Sequence, residues 1–488
     1  MWACPVLMLA LLQANVSTQT LVAQARRDFE AGRYAEAAPK LKWALKTDAQ
    51  NPVLWFYLGV SEMKLNEVDP AIESLEKSAA LAPKEVPAYF NLGILYWRKG
   101  DVGKAIKAYR EGLGLRPDDL DANQNYALLL MKTGRYQEAI APLQRLKRLE
   151  SSNLPVRVGL IESYIKAGQN SAGEAEVREL LASRLASPED EVKLGRVLLQ
   201  DGAPGLATAV FRDATSAAPG LADAHGSLGL ILLSDGQYKE AVRELGRAAQ
   251  INPGSAKYAM GLAEALHRWN HNTTLLSYLN AVKPRFGNLP QFQYLLGLAH
   301  YGLSHYSKAV EVFNKLLTMN PPRQDLVFYY LGNSYLVMME FPEAESCYQK
   351  AIEINPKDAT YYDAYAELLR KEGPSHLDQA VAMLEKARGL DPKDTRAGLE
   401  LGLSYEAQQQ LPRAQSLLED CVRLQPDLLP AHVALARIYF RQGKRELGEK
   451  EKSVIARLEA EQQEKQLQLG AERRGSATGS TSQSSRPQ

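Results

Sequence analysis

Three histidines are the residues best suited to hold a metal ion. His267 and His271 stand four residues apart in HRWNH, on one face of a predicted helix, and His305 follows His271 by 34 residues. Imidazole nitrogens so arranged are typical zinc ligands. The segment lacks the glutamate of a zinc-protease helix, however, and no carboxylate cluster accompanies it. We therefore predict exposed turn histidines and no metal site.

The stretch from Tyr89 to Pro117 combines glycines, a tryptophan and basic residues, as a phosphate-binding site would. It reads YFNLGILYWRKGDVGKAIKAYREGLGLRP. Neither here nor elsewhere does the sequence contain a phosphate loop, a dinucleotide fingerprint or a nucleophile-elbow motif. We predict no catalytic residues, no cofactor and no enzymatic activity.

The composition is ordinary, with 45% hydrophobic and 24% charged residues. Lys and Arg total 58 against 57 Asp and Glu, so no excess of charge favours nucleic acid or an anionic membrane. We expect protein or peptide partners, no nucleic acid and no membrane span.

The N-terminal segment is predicted to be a signal peptide over residues 1–17. An apolar run from Val6 to Leu12 precedes small and polar residues, and it is far shorter than the roughly 20 residues of a membrane span. This pattern favours an exported protein, periplasmic or secreted. The alternatives are a wrongly assigned start or an apolar cap on the first helix, and the mass of the native protein would distinguish them.

Two cysteines remain beyond this segment, Cys347 and Cys421, which stand 74 residues apart. Two cysteines make no disulfide framework. We predict that both are free and serve in packing.

An internal repeat decides the fold class. Closing prolines recur at about 34 residues or its multiples, as do an alanine and a glycine in constant register. The prolines are Pro83, Pro117, Pro219, Pro253, Pro321, Pro356, Pro392 and Pro426. Chance does not keep three residue types in phase for so long.

Each repeat is predicted to form two helices. In the stretch above, Gly93 and Ala105 lack bulk where the helices must approach, Gly100 permits the turn between them, and Pro117 cannot continue the second helix. These glycines have a structural explanation that needs no phosphate.

The repeat resembles the tetratricopeptide repeat (TPR). The family's pattern of large, Leu-Gly, aromatic, Ala, aromatic, Ala and Pro residues is found at Leu331, Gly332, Tyr335, Ala344, Tyr348, Ala351 and Pro356. The resemblance implies an all-α, right-handed superhelical solenoid of about thirteen helix-turn-helix units. We place their starts at Thr18, Pro52, Val86, Leu120, Leu154, Pro188, Ala222, Ala256, Pro290, Asp325, Ala359, Thr395 and Leu429.

The sequence also predicts the limits of the solenoid and the units that depart from the repeat pattern. The solenoid spans residues 18–443, a charged capping helix 444–474 and a disordered tail 475–488. The unit starting at Leu154 lacks the alanine and the proline, and the unit starting at Ala256 has a segment from Pro284 to Pro290 where the second helix should continue. One extra residue in PPRQD precedes Asp325, and two more around PSHLDQ predict a bulged turn.

The first helix of each unit is implied by the resemblance to line a concave, peptide-binding groove. On the stripe of these helices opposite the packing positions, aromatic or apolar pairs stand seven residues apart, and the aromatic residues of this stripe, joined by two adjacent tyrosines, are the predicted groove residues. They are Phe56, Phe90, Trp97, Tyr294, Tyr301, Tyr329 and Tyr330. The alternative is that this stripe is core between units.

A basic residue recurs at one place near the end of the first helix. The set is Lys64, Arg98, Lys132, Lys166, Arg268, Lys371 and Arg441. It forms either a rim for an acidic partner or, as the helix dipole favours, a solvated helix end. The carboxylate clamp of chaperone-binding TPR modules is not predicted, because Asn91 has Phe56 and Val60 on the preceding helix where the clamp needs Lys and Asn.

These observations predict a non-catalytic scaffold or adaptor that binds peptides or protein partners. The alternative is a stably bound regulatory or assembly subunit of an envelope enzyme or of a polysaccharide-export or secretion machine.

Overall fold

The computed structural model describes the backbone of residues 19–479 and the side chains of residues 19–464. Within that range the chain forms helices and no strands. It divides into two compact units, of which the first ends at Pro253 and the second begins at Gly254. The predicted signal peptide lies outside the described residues, so export stays a prediction.

The described part of the first unit, which begins at residue 19, contains fourteen helices. They are α1 (19–30), α2 (Tyr34–Thr47), α3 (Pro52–Lys64), α4 (Val68–Leu81), α5 (Val86–Lys99), α6 (Val102–Leu115), α7 (Leu120–Lys132), α8 (Tyr136–Leu149), α9 (Leu154–Lys166), α10 (Asn170–Ser183), α11 (Pro188–Gln200), α12 (Pro204–Ala217), α13 (Ala222–Ser234) and α14 (Tyr238–Ile251).

The second unit contains the other twelve helices of the described range. They are α15 (Ala256–Arg268), α16 (Asn272–Phe286), α17 (Pro290–Gly302), α18 (Tyr306–Leu317), α19 (Gln324–Val337), α20 (Phe341–Ile354), α21 (Ala359–Glu372), α22 (Leu377–Leu390), α23 (Thr395–Ala407), α24 (Leu411–Leu424), α25 (Leu429–Arg441) and α26 (Arg445–Gly479).

Consecutive odd and even helices of the described range pair as thirteen hairpins, the first of which is held by a buried cluster that α1 and α2 share, and this confirms the predicted helix-turn-helix repeat. The odd helices from α3 onward begin at the predicted unit starts, except that α19 begins at Gln324, one residue before Asp325. The predicted and observed helix starts agree closely because steric rules determine where a helix can begin, and proline is suited to the first turn of a helix.

Small residues let the two helices of a hairpin approach, as predicted. A Cβ atom at Gly93 would lie 2.8 Å from the ring of Tyr109 on the partner helix, and Ala105 is fully buried. Gly100 has a φ of +86°, which closes α5 in the left-handed conformation. The glycines of this stretch are therefore packing and turn residues.

The hairpin of α15 and α16 corrects one prediction. The second helix does not stop before Pro284; it continues through Phe286, with the proline in its last turns. A late proline removes a single backbone hydrogen bond. Burial of Phe286, which is 7% exposed, holds the last turn in place. The bulge predicted around PSHLDQ is present, as a short 3-10 turn at Pro374–His376.

A polar contact ties many hairpins to the end of the preceding one. The fourth residue of the unit donates a hydrogen bond to the carbonyl six residues earlier. Examples are Tyr89 Oη to Pro83 (3.1 Å), Asn123 Nδ2 to Pro117 (2.7 Å) and Tyr362 Oη to Pro356 (3.2 Å). His225 and His432 use Nε2 in the same way.

The last helix is longer than predicted. It runs from Arg445 to Gly479, so it includes residues 475–479 of the segment predicted to be disordered, and residues 480–488 lie outside the described range. The extension, GSATG, contains two glycines, which disfavour a helix, so the sequence pattern predicted an earlier end. Near its start, Gly448 lies against the ring of Phe440 on α25, and Leu458 is buried. None of the helices in residues 19–479 is long and apolar enough to cross a membrane.

Candidate functional site

The predicted groove residues of the first unit lie at the edge of its core. Phe56 on α3, and Phe90 and Trp97 on α5, are half-buried and pack against the buried cluster below them. Phe90 lies on Gly112 of α6, where an added Cβ would come within 2.5 Å of its Cε1. Each side chain thus packs on one side and keeps part of its surface open.

An apolar cavity of about 180 Å³ opens beside Phe56, between α3 and α5. Val53, Phe56, Tyr57 and Pro87 contribute to its lining. Val53, one of these residues, is 54% exposed. A cavity below the roughly 300 Å³ of small-molecule pockets suits one side chain of a partner rather than a cofactor.

The tyrosines of the second unit form a connected cluster of rings. Tyr330 of α19 lies 6.4 Å from Tyr294 and 5.3 Å from Tyr301, both on α17, measured between ring centroids. It also stacks at 5.9 Å on Phe313, which is fully buried. Burial raises the pKa of Tyr301 to about 12 and the pKa values of Tyr294 and Tyr330 above their ordinary value. These rings pack neighbouring hairpins together.

Tyr329 continues this packing to the next hairpin. Its ring lies 5.5 Å from that of Tyr361 on α21. Tyr361 is buried and donates a hydrogen bond of 2.9 Å to Asp325. Much of the surface of the four predicted tyrosines therefore packs against neighbouring hairpins, as the alternative of a core between units proposed. Their role in binding a partner stays a prediction.

The three histidines do not converge. His271 is exposed and its ring stacks 3.8 Å from that of Trp269, whereas burial lowers the pKa of His267. His305, which is exposed, lies 5.8 Å from His300. Within the described part of the chain, no group of three or more His, Cys, Asp or Glu side chains is placed to hold a metal ion.

Both cysteines are free and buried, as predicted. Burial raises the pKa of the Cys347 thiol to about 11 and that of Cys421 above its ordinary value. Because only the thiolate is a good nucleophile, neither is activated for chemistry.

The side chain of Asn91, the residue considered for a carboxylate clamp, already forms a hydrogen bond within its own helix. Its Nδ2 donates a 2.9 Å hydrogen bond to the carbonyl of Pro87, one turn earlier in α5. Phe56 and Val60, which hold the clamp positions on α3, are apolar and half-buried against the core.

Comparison with known families agrees with the geometry of the hairpins. Models of the tetratricopeptide repeat match residues 22–86, 90–153, 192–256, 290–323 and 326–358, which together exceed half of the chain. This chain is a tetratricopeptide-repeat protein. The matched ranges leave out nearly all of the two units, starting at Leu154 and Ala256, whose sequences depart from the pattern, and they also leave out the chain beyond residue 358.

One curated relative of this TPR protein is the peroxisomal targeting signal receptor of Kluyveromyces lactis. The two are 23% identical over 219 residues, which are 43% of this chain and 38% of the receptor. The chain thus matches less than two-fifths of that relative's length.

Solved structures of similar fold include Naa15/Naa10 bound to HypK-THB and yeast Tom70. The first is 15% identical, with a TM-score of 0.44, and the match covers 93% of this chain and 77% of the other. Tom70 is 16% identical, with a TM-score of 0.40, and the match covers 88% and 96%. These likenesses concern the fold alone.

Two exposed apolar residues of this TPR protein were not predicted as site residues. Val53 on α3 and Leu128 on α7, 54% and 44% exposed, lie on the same series of first helices as Phe56 and Trp97. Leu128 could have been found from the sequence, since it holds the repeat position of Val60 and Ile94. We call the side of α3, α5 and α7 that carries Val53, Phe56, Trp97 and Leu128 the first-helix face.

Proposed function

We propose that this TPR protein is a non-catalytic scaffold or adaptor that binds peptide segments of partner proteins on the first-helix face. The observation that carries the proposal is the combination of exposed apolar side chains with the cavity beside Phe56. Exposed apolar surface next to a cavity is typical of a protein interaction site.

Two further points support the proposal. TPR proteins mediate protein–protein interactions, and the curated relative is named as a receptor for a targeting signal. The cavity also has the dimensions for one anchoring side chain, and such anchors supply much of the binding energy at interfaces.

The test compares partner capture by two double variants. Val53→Ser with Leu128→Ser removes exposed apolar groups from the first-helix face, whereas Leu115→Ser with Leu149→Ser removes equally exposed leucines from the second helices α6 and α8. We expect the first variant to capture at least about tenfold less of the partners in a native lysate, measured by quantitative mass spectrometry, because truncating a central contact removes about 2 kcal/mol.

The control variant should retain those partners, and thermal melting of both should stay near that of the wild type, since exposed substitutions have small effects on stability. Equal capture by the two variants would contradict binding on this face.

A further inference from the structure

The repeated basic residue has three different surroundings in this protein, one of which is found at Arg441, whose partner is Glu406 of α23 at 3.3 Å. In three hairpins it forms an ion pair with a glutamate four residues earlier in the same helix. The pairs are Lys166 with Glu162 at 2.8 Å, Arg268 with Glu264 at 3.2 Å and Lys371 with Glu367 at 3.1 Å. In these hairpins the basic side chain is neutralised by a carboxylate of the same helix.

In three consecutive hairpins of the first unit that glutamate is replaced by an apolar residue. Lys64 and Lys132 are the last residues of α3 and α7, Arg98 is the residue before the last of α5, and all three are exposed. Within residues 19–464 none of them lies within ion-pair distance of a carboxylate, and the hydrogen bond of Arg98 goes to the amide oxygen of Asn66 at 3.2 Å.

The apolar residues at the glutamate position lie on the first-helix face, one turn before these basic residues. Val60, Ile94 and Leu128 stand four residues before Lys64, Arg98 and Lys132. Val60 and Ile94 are half-buried against the core of the unit, and Leu128 is 44% exposed. Each of the three helices therefore presents an apolar side chain one turn from a cation that has no carboxylate partner.

We infer that the first-helix face binds an extended peptide segment that carries both acidic and apolar side chains. This inference rests on the proposed function and names the class of its ligand. Carboxylates of the segment complement Lys64, Arg98 and Lys132, and its apolar side chains contact the face and the cavity beside Phe56. Charge complementarity of this kind selects partners and raises the rate of association.

The spacing of the helices fits an extended ligand. Neighbouring first helices contact each other, α3 with α5 and α5 with α7. Packed helices lie about 8–10 Å apart, and a peptide in the extended polyproline II conformation advances about 3.1 Å per residue, with side chains three residues apart on one face. About three residues of the ligand therefore span one hairpin, which requires one carboxylate and one apolar side chain in every three residues.

The probe is a fluorescein-labelled peptide of about twelve residues, in which Leu-Ser-Glu is repeated. Matched peptides carry Gln or Lys in place of Glu, or Ser in place of Leu. We expect the full chain to bind the Leu-Ser-Glu peptide at least about tenfold more tightly than each matched peptide, by fluorescence anisotropy at low salt. The difference should shrink at about 0.5 M salt, where exposed charges are screened.

Two triple variants locate the site. Lys64→Gln, Arg98→Gln and Lys132→Gln together should weaken binding of the Leu-Ser-Glu peptide about tenfold or more, since the three contacts add. The matched variant Lys166→Gln, Arg268→Gln and Lys371→Gln changes the same repeat position where the cations are paired, and it should change binding less than about twofold. Circular dichroism checks that both remain folded, as expected for exposed positions.

Several results would overturn the inference. Equal binding of the Glu and Gln peptides, equal losses in the two triple variants, or equally tight binding of a short thymidine oligonucleotide would each exclude an acidic peptide as the ligand class. If the Gln peptide binds as well and the Val53/Leu128 variant loses it, the proposed peptide-binding function stands and only the acidic class is wrong. If none of the peptides binds, the inference fails, and the capture experiment decides the proposed function separately.

Discussion

Glu191 on α11 has a carboxyl group at the fourth position of its unit, where Tyr89, Asn123 and His225 donate to a preceding carbonyl. It is 2% exposed, and its Oε2 has no hydrogen-bond partner among the described residues. Burial and the neighbouring carboxylate of Asp213 raise the pKa of Glu191 to about 7 from an ordinary value of 4.5, while Arg184 acts in the opposite direction. Glu191 is therefore a protonated acid in the folded protein at mildly acidic pH.

This shift predicts how stability depends on pH. Between pH 4.5 and about 7 the folded state keeps a proton that the unfolded state has lost, so stability falls as pH rises through this window and stays lower above it. Replacing Glu191 with Gln should leave stability at about pH 5 nearly unchanged and raise it at about pH 8 by roughly 1–3 kcal/mol. Urea unfolding at several pH values measures the effect.

The exposed neighbour Glu189 provides the control for this prediction. Glu189→Gln should keep the wild-type dependence on pH. If Glu191→Gln keeps it as well, the carboxyl group of Glu191 is not held protonated by its surroundings.

The hairpin of α5 and α6 shows how one helix constrains its partner. A Cβ at Gly93 would lie 2.8 Å from the ring of Tyr109, which is fully buried, whereas Gly114 on the outer side of α6 has open space around it. The same substitution should therefore have opposite effects at these two positions of one hairpin.

We predict that Gly93→Ala destabilises the protein by about 1–3 kcal/mol, because the methyl group overpacks the contact between the helices. Gly114→Ala should instead stabilise it by up to about 1 kcal/mol, because alanine loses less conformational entropy in a helix. Thermal and urea unfolding of the two variants measure the difference. A neutral Gly93→Ala would show that the hairpin tolerates a wider separation of its helices.

At the scale of the whole molecule, the chain has two compact units whose helices contact only their near neighbours along the sequence. Stability in such an array is the sum of local terms, so parts of it unfold at different denaturant concentrations. Trp269 is the one tryptophan of the second unit, and Trp43, Trp55 and Trp97 lie in the described part of the first.

This placement allows each unit to be followed separately by fluorescence. A Trp269→Phe variant reports on the first unit, and a variant that retains only Trp269 reports on the second. We expect their urea transitions to have different midpoints. Superimposable transitions, matching circular dichroism of the whole chain, would mean that the protein unfolds as a single cooperative body.

The sequence by itself determined the repeat, the boundaries of the hairpins and the packing role of the glycines in the stretch from Tyr89 to Pro117. These features follow from local steric rules, since Gly93 admits a ring, Gly100 adopts a positive φ and Pro117 cannot continue a helix. Such rules act within one hairpin and can therefore be recognised in a single chain.

Only the tertiary structure decided which side chains are available to a partner. It placed Tyr330 on the buried Phe313, left Val53 exposed beside a cavity, paired Glu191 with Asp213 and continued α16 past Pro284. Each of these outcomes depends on contacts between helices that are separate in the sequence. The helical period places a residue on a face, but the neighbouring hairpin determines whether that face is covered.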